Sequence, residues 1–84
     1  MVIGVCTLEL HLPQARSLKD KRMVIGRVKG RLAARFNVAV AEVAHQDLWQ
    51  RAWLAVVSVS ERQRPLEGLF EKVVEEVERS AAGV

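Results

Sequence analysis

The stretch from Trp53 to Ser60 constrains this chain more than any other, because it is apolar almost throughout and carries no charge. Such a run reads as a strand covered on both faces. The longest uncharged stretch, Ala52 to Ser60, is far short of the roughly 20 apolar residues that a membrane-spanning helix needs. At 84 residues the chain is one domain, so this strand is expected at the centre of its sheet, with the rest arranged around it.

Upstream, the even positions from Val2 to Leu12 are mostly apolar, while the odd ones drift from Ile3 and Val5 to Thr7, Glu9 and His11. That alternation predicts a strand with one buried face. Pro13 ends it, and Ser17 followed by Asp20 is a capping-box-like helix start. Leu18, Ile25, Val28, Leu32 and Phe36 then recur at helical spacing, which predicts a helix over Leu18 to Arg35. Val38 to His45 reads as a second strand, with imperfect alternation and room for a bulge near Ala41 or Glu42. Gln46 to Gln50 is polar enough for a hairpin connection. Pro65 suits the first turn of a last helix, whose stripe Leu66, Leu69, Phe70, Val73, Val74 and Val77 continues to Ala81, with Glu67, Glu71, Glu75 and Glu78 opposite.

The order strand, helix, strand, strand, helix is that of an α+β chain with the ferredoxin-like split βαβ arrangement. One domain over residues 1–84 is expected, its third strand between the first two, both helices on one face of an antiparallel sheet, and the last strand short or missing. A missing strand would leave the edge of strand one open unless the tail Ala81 to Val84 or a second subunit covers it. Self-association as a homodimer is the corresponding expectation.

Three stretches, Leu12 to Arg22, Arg35 to Val43 and His45 to Ala52, resemble the YlxP-like family of small bacterial proteins of unknown function. The runs Ser-Leu-Lys-Asp-Lys-Arg (residues 17–22) and Gln-Asp-Leu-Trp-Gln-Arg-Ala (residues 46–52) are the specific parts. The resemblance extends from Met1 to about Arg79, and it implies a ferredoxin-like fold without implying an activity. Genes of the family commonly lie beside those for transcription, translation-initiation and ribosome-maturation factors, which implies an RNA or ribosome role by association.

Charge is segregated along the chain. Residues 1–36 hold eight basic and two acidic side chains, a net +6, and residues 37–84 hold five and eight, a net −3. Cations concentrate in the first helix, where Lys19, Lys21, Arg22, Arg27, Lys29, Arg31 and Arg35 are candidate nucleic-acid contacts, since each phosphate neutralised releases counterions. The plainer alternative is a solvated face whose cations pair with the Glu-rich second helix. Lys21 falls inside the apolar arc, so its chain must reach around the stripe or its ammonium must find a partner. Gly26 and Gly30 on the same helix cost roughly 1 kcal/mol each against alanine. Packing of the second helix against them is the first explanation, with a backbone-to-phosphate or subunit contact as the second.

Trp49 and Trp53 with Arg51 are the most aromatic and amphipathic spot in a chain that has no tyrosine, and they are candidates for base stacking or for anchoring an interface; Trp53 could instead cap the open end of a small core. His11 and His45 lie on separate strands without a third placed ligand, and Cys6 has no neighbouring cation to lower its pKa, so neither a metal site nor a nucleophile is expected. A single cysteine and the lack of a leader-like N-terminus point to a reduced, cytoplasmic protein. The expected function is a non-enzymatic, cofactor-free module that binds RNA or the ribosome through its basic first helix. The alternative is a protein-interaction or self-association module using the open sheet edge and the Trp53 face. No membrane partner is expected.

Overall fold

The computed structural model describes residues 1–81. It contains β1 (Val2–His11), α1 (Leu18–Arg35), β2 (Ala39–Ala44), β3 (Arg51–Ser60) and α2 (Gln63–Ala81). The three strands form one sheet in the order β1-β3-β2, with both outer strands antiparallel to β3. This is the α+β, ferredoxin-like split βαβ arrangement, and β3 is central as its composition requires.

The inward row of the sheet follows the even positions. Cys6 and Val40 flank Val56 in register, and Ala52, Leu54 and Val56 are fully buried against Val24, Ile25, Val28 and Leu32 of α1 and Val73 and Val77 of α2. Burying each of the larger side chains contributes about 1.5–3 kcal/mol. Helix α1 starts as its sequence dictates, with Ser17 Oγ accepting the Asp20 N–H at 3.0 Å and Asp20 Oδ2 accepting the Arg16 N–H at 3.0 Å. Close approach of α2 to β1 depends on Gly4, where a Cβ would come within 2.7 Å of the Phe70 ring.

Two expectations need correction. The first concerns β3, which is covered on its helix side alone. Its odd positions, with those of β1, leave Ile3, Val5, Trp53 and Val59 exposed on the opposite face, because both helices lie on the even-position side. Trp53 therefore does not cap the core. The second concerns Gly26 and Gly30, where an added Cβ would meet nothing within 4 Å. They point away from α2, because the buried arc of α1 (Lys21, Val24, Ile25, Val28 and Leu32) lies on the other side of the helix.

The irregularity foreseen in β2 is a register shift between Glu42 and Ala44 that leaves Val43 as the extra residue. Directly after it, His45 adopts a left-handed backbone, with φ 64°, which turns the chain into the β2–β3 connection. The tail considered as a cover for the β1 edge lies, beyond Ala81, outside the described residues.

Candidate nucleic-acid interface on α1

The cations of the first helix divide by what they touch. Lys21 is only 1% exposed, and its ammonium is held by Glu42 Oε2 at 2.7 Å, by the Leu48 carbonyl at 2.7 Å and by the His45 carbonyl. Two of its three N–H donors go to carbonyls and its charge is matched by Glu42 beside it, so the buried Lys21 is unavailable to a polyanion. It fastens the β2–β3 connection to the first turn of α1. Arg35 pairs with Glu76 at 3.0 Å while its guanidinium lies 5.5 Å from the Phe36 ring centre. Glu76, itself buried, is also ion-paired with Arg79 at 3.1 Å.

Lys19, Arg22, Arg27, Lys29 and Arg31 are exposed, and none forms an ion pair among the described residues. Pairing with the Glu-rich helix thus accounts for Arg35 alone. Counted at about 100° per residue, Arg22 and Lys29 lie on one flank of the exposed arc and Arg27 and Arg31 on the other, with Gly26 and Gly30 between them. The result is a low strip of backbone bordered by cations, a profile on which a phosphate chain can approach the helix closely.

The interface candidates separate as well. Trp53 stands on the open sheet face with the His45 ring 5.9 Å away, tilted by 30°. Arg51 is paired with Glu9 across the β1–β3 ladder, its Nε donating to Glu9 Oε1 at 2.9 Å. That hydrogen bond holds the Glu9 carboxyl below the usual carboxylate range, while burial pushes the Cys6 thiol up. Trp49 sits apart from both, exposed in the β2–β3 connection. Sequence reasoning missed Glu76, although its place between Val73 and Val77 on the apolar stripe was a readable signal.

A three-stranded antiparallel sheet with two helices on one face defines a small ferredoxin-like α+β domain. Residues 3–83 match the family described as "Protein of unknown function (DUF503)", and the chain belongs to that family. The "Uncharacterized protein YlxP" of Bacillus subtilis (strain 168) is 34% identical over 73 residues, which make up 87% of this chain and 79% of that relative. Within the described residues, no helix is long and apolar enough to cross a membrane.

Proposed function

We propose that the protein is a non-enzymatic cytosolic module that binds RNA, free or in ribosomal particles, through α1. The observation that carries this reading is the set of five exposed cations, Lys19, Arg22, Arg27, Lys29 and Arg31, without ion-pair partners among the described residues. The open space at Gly26 and Gly30, where an added Cβ would meet nothing within 4 Å, supports it, since a phosphate chain can come close to the helix there. Co-sedimentation with ribosomal particles at low salt tests it. Binding that weakens steeply as salt rises is the expected result, and absence of binding at the lowest salt removes the reading.

A second reading, pairing of two copies, is favoured by the exposed apolar residues Ile3, Val5 and Val59 on the open sheet face. The β1 edge lies beside a cleft lined by Leu8, Leu10, Val74 and Val77, with the charged Glu9 and Glu78 among them. Magnitude places this reading second. Ten-residue strands are about 33 Å long and spaced about 4.8 Å apart, so the face projects roughly 400 Å². A standard interface uses about 800 Å² per partner. The face alone would hold a weak dimer, which sedimentation equilibrium at high protein concentration would detect.

A further inference from the structure

The β2–β3 connection is held from both sides. Lys21 grips the carbonyls of His45 and Leu48 from α1, and Gln50 donates its side-chain amide to the carbonyls of Pro13 at 3.1 Å and Ala15 at 3.3 Å. The backbone adds Leu12 N–H to Gln50 O at 2.8 Å and Leu48 N–H to His45 O at 3.0 Å. A buried ammonium and a left-handed His45 are costly ways to fix a surface connection, yet the residues it displays, Leu48 at 40% and Trp49 at 52% exposure, bury little apolar surface for the fold. The effect is to hold the backbone on either side of Trp49 while its side chain stays exposed.

Trp49 lines an open cleft of about 600 Å³ with His11, Asp47, Leu48, Gln50 and Arg51, within the size range of ligand sites. The lining has an apolar, aromatic wall, a carboxylate that can accept from amino and imino groups, and two basic side chains. His11 and Arg51 face each other in register at the end of the sheet, and the Glu9 pair leaves some of the Arg51 N–H donors unused. A bare anion would use Arg51 but leave the Trp49 wall idle and meet the Asp47 carboxylate. A purely apolar ligand would leave Asp47 and Arg51 idle. A nucleotide uses all three elements, with its base against Trp49, its base edge toward Asp47 and its phosphate toward His11 and Arg51.

We propose that this cleft holds one unpaired nucleobase of a bound RNA, stacked on Trp49. The proposal deepens the RNA reading and rests on it for the source of the ligand. Lys21 joins the connection to the first turn of α1, so the cleft lies at the same end of the fold as the start of that helix.

The test uses the Trp53→Phe protein, in which Trp49 is the remaining tryptophan and no tyrosine interferes. Guanosine and adenosine monophosphates should quench Trp49 fluorescence, and ribose 5-phosphate should not. In the otherwise unchanged chain, Trp49→Ala should weaken binding of a single-stranded oligoribonucleotide about 5- to 100-fold with little change in salt slope, and Trp49→Phe should restore most of it. Trp49 is exposed, so both variants should melt as the parent does. Quenching by ribose 5-phosphate equal to that by the nucleotides, no quenching by any nucleotide, or unchanged affinity of Trp49→Ala would each overturn the proposal. An oligonucleotide that binds with a steep salt slope while Trp49 stays silent leaves the α1 reading standing and this one fallen. Nucleotide quenching without oligonucleotide binding at low salt would make the cleft a site for free nucleotides and overturn both the α1 reading and this one.

Discussion

The two helices pack on the same sheet face, yet they treat charge in opposite ways. On α2 the outward residues Glu67, Glu71, Glu75 and Glu78 are exposed, and the inward Glu76 is buried between Arg35 and Arg79. On α1 the inward Lys21 is buried against Glu42 and two carbonyls, while the outward Lys19, Arg22, Arg27, Lys29 and Arg31 have no such partner among the described residues. Lys21 and Arg35 on α1 and Glu76 on α2 are thus used to join elements. The remainder is surface potential of opposite sign, and a polyanion would meet α1 and avoid α2. The charge of a helix therefore says little until each side chain's partner is known.

The largest expected effect comes from removing a joining charge. Lys21→Met would leave the Glu42 carboxylate and two carbonyls without their donor and should cost about 3 kcal/mol in a urea melt, the lower end of the range for breaking a buried pair because Glu42 retains some solvent contact. Lys21→Met with Glu42→Leu should recover part of that loss. A single variant as stable as the parent would show that Lys21 does not hold the β2–β3 connection.

A smaller effect of opposite sign is expected from the glycines between the cations. Gly26→Ala and Gly30→Ala should each raise stability by up to about 1 kcal/mol, since the added methyl meets nothing. Gly30→Leu should also fold, but it should weaken RNA binding if a phosphate chain approaches there. Loss of stability in the alanine variants would contradict the outward placement of the strip.

Much of this was legible in the sequence for identifiable reasons. The Ser17 and Asp20 pair and the stripe from Leu18 to Leu32 act locally, so the bounds of α1 could be read from a short window. The central place of β3 followed from its apolar run. The same run concealed the open face, since Val57 and Val59 read alike whether a helix covers them or solvent does. Lys21 stood out inside the apolar arc, but two of its partners are backbone carbonyls, which carry no sequence signal. Gly4 was hidden because its role depends on Phe70, far along the chain.

The smallest effect concerns the exposed Glu9–Arg51 pair. The Glu9 carboxyl is lowered chiefly by its hydrogen bond from Arg51, so its contribution to stability is present above the ordinary carboxylate range and is lost as pH falls through the lowered value. Thermal melts of the parent and Glu9→Gln should differ slightly at neutral pH and converge in acid. A difference that grows in acid would contradict the assignment.

The most direct measurement of the contrast between the helices is the salt dependence of RNA binding in charge-reversed chains. Arg27→Glu with Arg31→Glu lies away from the buried stripe and should leave folding intact. Arg62→Glu with Arg64→Glu at the exposed start of α2 is the matching control, a better one than Arg79, which is tied to Glu76. The α1 double variant should bind RNA more weakly, with a salt slope flatter by about the number of phosphates it no longer neutralises, while the α2 double variant keeps the parent's slope. Equal weakening in both variants, or none in either at low salt, would contradict the assignment of α1 as the RNA-binding face.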